Sequence, residues 1–534
     1  MPAAFVALLL APGPWGMVVA VGAGVAASVW RARRAAASRR ADASAREHGV
    51  ALGSDSHGRD VVLSNDELSA HGLILGASGA GKTTTLLRIL TEQIARGQPV
   101  VAIDMKGSPA FARVLGEAAR AAGRPFAVWS IDGPAHWNPL QHGNATELKD
   151  KLMATERFTE PHYQRAAERY VQMVLHVLSA AHTGRAPVLG EVVAAMDPAR
   201  LATLLRGVDA ELRDRVRDYL AGLTPDQRSA VRGLQTRLAV LTESHTAPYL
   251  APAGGGAAAG AGAVAAGGAV AGAVAGAGEA TIDLREALRG PQVVLFSLNS
   301  ARYGRLAAQL GTLVVQDLVS ASGDRLDSTR STGEAPSATI AIDEFSALGA
   351  DHVIALLSRG RESGLSVLVA TQELADLDRA APGLRDQVVG VTALKIVHRQ
   401  EVPNSARTIA LMIGTERVWE QTRQTAGRLF GGYDTGRGTR SQTERFIVHP
   451  NEIQSLRTGE AIVISKLAKQ QVRRVWVDPP RFVEPSREPT PPPPVAPLPA
   501  ERARRPDRAR RPEPARPARQ PEPPSRPPPD SLGL

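Results

Sequence analysis

The sequence contains no cysteine, and this absence excludes two kinds of site. Neither a disulfide nor a thiolate metal site can form, which suits a catalytic part that works in the cytosol. Aromatic residues make up only 4% of the 534 residues, and no basic stripe with interleaved aromatics marks a nucleic-acid-binding surface. The sequence also lacks an LSGGQ-like signature, which argues against an ABC-type transporter ATPase.

The net charge of +10 is concentrated at the two ends of the chain. Residues 31–47 contain six arginines and two acidic residues, and residues 481–534 contain eleven arginines and seven acidic residues. Each end therefore contributes +4, and the remaining body carries only about +2. Clustered charge indicates the binding partners only of the part of the chain that carries it. The net charge of +10 therefore says little about the surface of the body.

The first 30 residues contain no charged side chain, and Arg31, Arg33 and Arg34 follow at once. A membrane helix needs about 20 apolar residues, and positive charge on its carboxy-terminal flank places that flank in the cytoplasm. We therefore expect a single-pass anchor of the inner membrane within residues 1–47, with residues 14–30 as its firmest span. A cleaved signal peptide, which carries its positive charge before the apolar region, and a soluble buried helix are the alternatives.

A glycine-rich loop between an apolar run and a helical run gives the strongest functional signal. Residues 76–83 read GASGAGKT and fit G-x-x-x-x-G-K-[ST], the loop whose backbone N–H groups cradle phosphates while its lysine reaches the terminal ones. We expect it to bind ATP or GTP with Mg²⁺, with Thr83 as a metal ligand. The nucleotide-binding residues are predicted to be Gly76, Ala77, Ser78, Gly79, Ala80, Gly81, Lys82, Thr83 and Thr84.

A pair of acidic residues, Asp343 and Glu344, follows the apolar run at residues 338–342. Two adjacent carboxylates allow a division of labour: Asp343 orients Mg²⁺ through its water, and Glu344 activates the water that attacks the phosphate. Asp104 also ends an apolar run, but no glutamate stands beside it. A strand end followed by a surface turn is the alternative interpretation of the pair.

Three further polar residues follow the acidic pair. Gln372 comes directly after the predicted strand at 367–370 and its neighbour Thr371, where it can sense the terminal phosphate. Arg359 and Arg361 are candidate arginine fingers, which supply positive charge to the nucleotide of a neighbouring subunit. The alternatives are a solvated loop glutamine and a solvated basic turn.

The chain between these motifs predicts the organisation of the molecule. Lys82 and Asp343 are 261 positions apart, and residues 144–245 show helical periodicity, so an all-α domain is expected to interrupt an α/β ATPase domain. Residues 197–198 and 224–225 each read as an N-cap followed by proline, and Tyr163, Ala167, Tyr170, Val174 and Leu178 form one helical face that we expect to be core.

The predicted fold class is α/β, a P-loop NTPase with a mainly parallel central sheet flanked by helices. Residues 251–279 are almost entirely alanine and glycine and predict a flexible linker, and the Pro- and Arg-rich tail is too poor in apolar residues to fold. The predicted parts are the anchor at 1–47, the ATPase domain at 48–140 and 280–478, the inserted all-α domain at 141–250, the linker at 251–279 and the disordered tail at 479–534.

Residues 342–377, IDEFSALGADHVIALLSRGRESGLSVLVATQELADL, resemble the hallmark of conjugative coupling proteins of the TraG/TraD class. These are hexameric, membrane-anchored DNA-pumping ATPases related to FtsK and HerA. The loop HGLILGASGAGKTTTL and the strand end AIDMKG at 102–107 agree with that resemblance, which covers about residues 49–477. Many members have two membrane helices, whereas one span is visible here, and the Pro/Arg-rich tail is not a family motif.

The resemblance implies partners and a role for one arginine. Arg361, with Arg359 as the second choice, acts on the nucleotide of the next subunit in a homo-hexameric ring with a central DNA channel. The helical domain receives a relaxase, its relaxosome or a secreted protein, and the ring feeds DNA, preferably single-stranded, into a type IV secretion channel. A pump for double-stranded DNA and a membrane docking receptor for secreted proteins are the two alternative functions.

Overall fold

The structure, a computed structural model, describes residues 49–156, 158–253, 280–332, 337–348, 350–428, 431–468 and 471–480. The predicted membrane anchor, the predicted linker from residue 254 and the predicted tail from residue 481 lie outside the described residues. No helix within the described ranges is long and apolar enough to cross a membrane.

An eleven-stranded sheet forms the centre of the molecule. Seven neighbouring strands, β11 to β5 in the order below, run parallel, and the other four add an antiparallel edge. The mainly parallel sheet agrees with the sequence prediction, whereas the antiparallel edge was not predicted. In sheet order the strands are β2 (Asp60–Ser64), β1 (Gly49–Ser54), β15 (Val472–Val477), β14 (Glu460–Ser465), β11 (Leu394–Val397), β3 (Gly72–Leu75), β10 (Leu365–Thr371), β9 (Ala338–Asp343), β4 (Val100–Asp104), β8 (Val293–Ser297) and β5 (Phe126–Ser130).

Helices cover both faces of this sheet, which is why its central strands are apolar throughout. Every residue of β3, β4, β9 and β10 is buried, as expected for parallel strands packed on two sides. Alternate residues of each strand point to opposite faces: Ile74 joins the core under α2 and α3, and Leu73 and Leu75 join the larger core on the other face. The helices of the ATPase part are α1 (Asn65–Ser69), α2 (Lys82–Ala95), α3 (Pro109–Ala121), α10 (Leu284–Arg289), α11 (Ser300–Thr332, kinked at Gly304), α12 (Ala350–Gly360), α13 (Leu374–Ala380), α14 (Leu384–Val391), α15 (Pro403–Ile413) and α16 (Pro450–Gln454).

The chain between β5 and β8 forms a bundle of helices. Both predicted N-caps are confirmed, since the side chains of Asp197 and Thr224 accept hydrogen bonds from the backbone of the helices they precede. Four residues of the predicted helical face, Ala167 to Leu178, are core residues, and Tyr163 is half-buried. The elements here are β6 (His136–Trp137), α4 (Ala145–Met153), α5 (Pro161–Ala181), α6 (Leu189–Ala195), α7 (Pro198–Leu204), α8 (Ala210–Ala221), α9 (Pro225–Thr242) and β7 (Thr281–Ile282), which pairs with β6.

A long antiparallel hairpin follows α15. Its strands, β12 (Thr415–Arg428) and β13 (Gly431–Phe446), form a two-stranded sheet separate from the central one. The sequence gives no alternation of apolar and polar residues here, and this hairpin was not predicted. Phe446, at its base, packs against the core.

Candidate active site

Four neighbouring parallel strands end at the same edge of the sheet and bring the predicted site residues together. Asp343 at the end of β9 is in register with Asp104 of β4 and with Ala370 of β10. Thr371 of β10 is in register with Leu75 of β3, directly before the glycine-rich loop. The carboxyl ends of parallel strands are where α/β proteins bind ligands.

The glycine-rich loop between β3 and α2 depends on backbone conformations that favour glycine. Gly79 and Gly81 have φ values of 72° and 120°. A Cβ at Gly76 would lie 2.6 Å from the Cβ of His398, so the loop also approaches β11 closely. Two backbone bonds hold its start, Gly76 N to Gln372 O at 3.2 Å and Ala77 N to Arg399 O at 2.8 Å. Ser78 and Gly79 form the exposed tip.

Lys82 begins α2 and lies across the base of this loop. Its Nζ atom donates to the carbonyl oxygens of Gly76 at 2.6 Å and Ala77 at 3.4 Å, and the residue is only 4% exposed. Burial lowers the pKa of Lys82, and the carboxylate of Glu344 opposes that shift. Ala80 lies in the loop between β3 and α2, and Thr83 and Thr84 lie in the first turn of α2. This is the predicted order of strand, loop and helix.

Thr83 and Asp343 form the contact that joins the two motifs. The Thr83 hydroxyl donates to Oδ2 of Asp343 at 3.1 Å, and Oδ1 of Asp343 is buried without a hydrogen-bond partner. These oxygens fit a magnesium ion, which takes one or two protein ligands and fills its remaining positions with water and phosphate oxygens. Within the described ranges no group of three or more His, Asp or Glu residues gathers at a metal site.

Glu344 has a left-handed backbone conformation, with φ of 57°, that turns the chain sharply after β9. Its Oε1 atom accepts a hydrogen bond from Nε2 of Gln372 at 2.7 Å. The same oxygen lies 2.8 Å from Nζ of Lys106. A non-glycine residue in this region is strained, and such residues cluster at functional sites.

Lys106 is a site residue that the residue-by-residue reading of the sequence missed. Its ammonium group also lies 3.6 Å from Oδ2 of Asp343. Burial lowers the pKa of Lys106, but the carboxylates of Asp343 and Glu344 outweigh it and raise the pKa overall. The sequence feature that could have identified Lys106 is its position two residues after the end of a buried strand, β4.

Asp104 has a structural role that its position in the sequence did not reveal. Its carboxylate accepts hydrogen bonds from the backbone N–H groups of Lys106 at 2.9 Å and Ser108 at 2.6 Å. Burial raises the pKa of Asp104. It therefore shapes the turn that carries Lys106 to the acidic pair.

His398 is a second residue that sequence reasoning missed. Its Nε2 atom lies 2.8 Å from the hydroxyl of Thr85 in α2, and its Nδ1 atom lies 2.8 Å from the carbonyl oxygen of Glu460. Burial lowers the pKa of His398 to about 4, so the imidazole is neutral at pH 7. It ties the helix after the glycine-rich loop to the strands β11 and β14.

The two candidate finger arginines lie apart from these contacts. Arg359 is in the last turn of α12 and Arg361 is in the turn that follows, and both are exposed. Neither takes part in the contacts among Lys82, Thr83, Asp343, Glu344 and Gln372 described above. Their assignment as fingers stays a prediction.

Two family models match the chain. The model described as the TraM recognition site of TraD and TraG matches residues 337–458, and the model described as the helicase HerA-like C-terminal domain matches residues 50–122. The first covers the acidic pair, Gln372 and both arginines, and the second covers the glycine-rich loop and Lys106. No curated protein matches the chain.

Several solved structures share the fold. The unbound monoclinic form of the bacterial conjugative coupling protein TrwBdeltaN70 is 16% identical, with a TM-score of 0.57 over 83% of this chain and 92% of that one. TrwB with the GTP analogue GDPNP is 15% identical, with a TM-score of 0.54 and the same coverage. TrwB with ADP and Mg²⁺ is 15% identical, with a TM-score of 0.53 over 81% of this chain and 90% of that one.

At such identities the likeness shows the fold, which is the P-loop NTPase fold of TrwB. Two of these TrwB structures hold a nucleotide, one of them with Mg²⁺, which supports the use of both in the family. The two family models relate residues 50–122 to HerA-like helicases and residues 337–458 to TraD and TraG, and the fold shared with TrwB agrees with both matches.

Proposed function

We propose that the protein is a membrane-anchored, ATP-driven DNA translocase that couples a DNA or nucleoprotein substrate to a type IV secretion channel. The observation that carries this proposal is the convergence of Lys82, Thr83, Asp343, Glu344 and Gln372 at the ends of neighbouring strands in a TraG/TraD-type chain. Each residue type there has a defined role in phosphoryl transfer.

The residues divide the chemistry of ATP hydrolysis among themselves. Lys82 neutralises the terminal phosphates, and the backbone N–H groups of residues 76–84 hold the phosphate oxygens. Thr83 and Asp343 hold Mg²⁺, which when bound offsets phosphate charge. Glu344 accepts the proton of the attacking water, and Gln372, bonded to Glu344, orients that carboxylate.

One element of the proposal needs a second subunit. Arg361 is exposed and outside the contacts of its own site, so it serves as a finger that reaches the nucleotide of the next protomer in a homo-hexamer. A ring also explains how a body with little net charge can act on DNA, because channel contacts are repeated in each subunit.

The partners follow from the comparisons. The family model that matches residues 337–458 is described as the TraM recognition site of TraD and TraG. TrwB is described as a conjugative coupling protein. We extend both to this chain as a proposal: its partners are a relaxase with its relaxosome, or a secreted protein, and the channel proteins of a type IV secretion apparatus.

ATP hydrolysis by the full chain, measured with and without DNA, tests the proposal. Single- and double-stranded oligonucleotides of equal length are compared at several salt concentrations, because phosphate contacts weaken as salt rises. Lys82→Ala and Glu344→Gln are expected to reduce hydrolysis by at least about 100-fold. Lys149→Ala, at a lysine far from the site in the sequence, serves as the control.

The outcomes separate three functions. Stimulation by single strands, lost in Lys82→Ala and Glu344→Gln, supports the proposed translocase. Stronger stimulation by double strands indicates instead an FtsK/HerA-like pump for duplex DNA. Hydrolysis by an assembled ring that is indifferent to both contradicts DNA translocation and points to a docking receptor for secreted proteins.

A further inference from the structure

The hairpin β12–β13 contributes no residue to the site proposed for ATP hydrolysis, so that reaction does not explain why the hairpin is present. Its strands have 14 and 16 residues. Of its described side chains, at 415–420 and 440–446, only those of Val418 and Phe446 are even partly buried. An isolated two-stranded hairpin is marginally stable in water, so one of this length suits a surface that binds something.

Both ends of the segment that carries the hairpin contact the nucleotide loop, and its start also contacts the helix α2 that follows the loop. At the start, His398 contacts Thr85 at 2.8 Å and Arg399 O accepts from Ala77 N at 2.8 Å. At the end, Gly459 N donates to Ala80 O at 3.0 Å. Residues 398–460 therefore leave the loop, form the hairpin and return to the loop.

The two faces of the hairpin differ in chemistry. Pairing of Trp419 with Gln442 and of Arg417 with Glu444 places these four residues on one face, because alternate residues of a strand share a face. Arg440 belongs to this face and lies over the Trp419 ring, 4.8 Å from its centroid. The opposite face, near the base, carries Glu416, Glu420 and Arg445.

The Trp419 face has the two features that bind unpaired nucleotides. Trp419 is 54% exposed and offers an aromatic ring to a base. The exposed guanidinium of Arg440 lies over that ring, where it can contact a phosphate or make way for the base. Aromatic stacking and phosphate contacts by arginine are the general means of binding single strands, whereas the bases of a duplex are already stacked on each other.

We propose that the face formed by Arg417, Trp419 and Arg440 binds single-stranded nucleic acid, and that this contact is coupled to the nucleotide loop through residues 398–460. The proposal rests on the proposed function and deepens it, since it names the surface that holds the substrate. Binding of a strand at the hairpin and binding of ATP at the loop then strengthen or weaken each other by the same factor.

Binding of a fluorescent oligothymidylate to the full chain, followed by anisotropy at several salt concentrations, tests the proposal. Trp419→Ala is expected to weaken binding about tenfold, and Trp419→Phe to retain most of it, since an aromatic ring remains. Arg440→Ala is expected to weaken binding and to lower the salt slope by about one. Thr443→Ala, an exposed residue paired with Val418 on the opposite face, is the matched control and should bind as the parent chain does.

A second measurement tests the coupling. The affinity for a fluorescent ATP analogue is determined with and without the oligonucleotide, in the parent chain and in Trp419→Ala. The oligonucleotide should change the parent's nucleotide affinity and leave that of Trp419→Ala nearly unchanged. Equal nucleotide affinity of both proteins without the oligonucleotide shows that the variant is folded.

The results distinguish failure of this proposal from failure of the proposed function. A parent chain that binds no single strand contradicts both. Binding by the parent that Trp419→Ala and Arg440→Ala retain in full overturns the hairpin proposal alone. Loss of assembly in Trp419→Ala, seen as a smaller mass in sedimentation, also overturns it, because the face then serves contact between copies of the chain.

Discussion

Lys106 brings a positive charge to two adjacent carboxylates at the end of β9. Its ammonium group lies 2.8 Å from Glu344 and 3.6 Å from Asp343, on the side where Thr83 contacts Asp343. A cation held there repels a second cation bound at the same oxygens. We therefore expect Lys106 to act as a positioning residue that holds Glu344 in place and limits the affinity of the site for Mg²⁺.

Replacing Lys106 by methionine is expected to lower the Mg²⁺ concentration at which nucleotide binding is half-maximal by about two- to fivefold. The measurement is a Mg²⁺ titration of the binding of a fluorescent ATP analogue in a Glu344→Gln background, which prevents turnover. Lys149→Met, at a lysine paired with Asp150 rather than with the site, is the control. An unchanged midpoint in Lys106→Met would show that the lysine does not act on the metal.

Two buried histidines make the stability of the fold depend on pH. Burial lowers the pKa of His71 and of His398 to about 4, from the ordinary histidine value of about 6.5. Between those values the unfolded chain binds more protons than the folded one, so stability is full above pH 6.5 and falls as pH drops towards 4. Each histidine is expected to contribute a loss of about 2 kcal/mol between pH 7 and pH 5.

His71→Asn offers a specific test of that pH dependence. His71 has a φ of 62°, which asparagine tolerates, and its Nδ1 accepts a hydrogen bond from Val367 N, which an amide oxygen can replace. The variant should lose stability less steeply between pH 7 and pH 5 in chemical denaturation. His57→Asn, at an exposed histidine, should keep the slope of the parent. The same slope in all three proteins contradicts the interpretation.

At the scale of elements, a buried ion pair joins the helical bundle to the ATPase part. Lys151 of α4 lies 2.8 Å from Oδ1 of Asp317 in α11, and the other oxygen of that carboxylate accepts from Trp137 Nε1 at 3.1 Å. The lysine side chain is 3% exposed and the aspartate side chain 6%. Removing one partner of such a pair leaves a buried charge unpaired.

Lys151→Met is therefore expected to destabilise the protein by about 3–5 kcal/mol, measured as a fall of the unfolding midpoint. Adding Asp317→Asn should restore much of that loss, because the amide is neutral and its oxygen still accepts from Trp137. Arg217→Met, which removes an ion pair with Asp214 whose side chains are 63% and 70% exposed, should change little. If the single and double variants are equally unstable, the contact between the helical bundle and the ATPase part depends on packing rather than on the ion pair.

The strands that the sequence predicted and the strands that it did not differ in how they are stabilised. Residues 100–104 and 338–343 are mainly apolar runs because they are buried on both faces of the sheet. Such runs can be predicted as strands from their own sequence. The antiparallel strand at Val472–Val477 contains Arg473 and Arg474, and the hairpin at 415–446 carries charged residues along its length. The pairing partners of these strands decide their structure. Local sequence does not carry that information.

The same limit applies to the site. The residues of the glycine-rich loop and the acidic pair were predictable because each motif is local and its order relative to a strand is visible. The contact of Thr83 with Asp343 spans 260 positions and needed the parallel order of β3, β10, β9 and β4. Lys106 and His398 were missed because their roles depend on carboxylates and backbone groups that the fold brings from other strands.

At the scale of the whole molecule, the role proposed for Arg361 requires that it reach the nucleotide of another protomer. Arg361 is exposed and makes none of the site contacts within its own chain described above. A finger supplied in trans contributes about 10³-fold or more to hydrolysis. Arg361→Ala should therefore be nearly inactive, although its own Lys82, Asp343 and Glu344 are intact.

Mixing two inactive variants decides where the arginine acts. In a mixed ring of Arg361→Ala and Lys82→Ala subunits, an intact nucleotide site of the first lies beside an intact Arg361 of the second. Hydrolysis should therefore reappear on mixing, at a level that peaks near equal proportions. A finger that acts within its own chain gives no such recovery, because neither subunit then holds a complete site. The same mixture made with Arg359→Ala identifies which arginine crosses the interface, since only a variant that is inactive alone and restored by Lys82→Ala subunits has lost a residue used in trans.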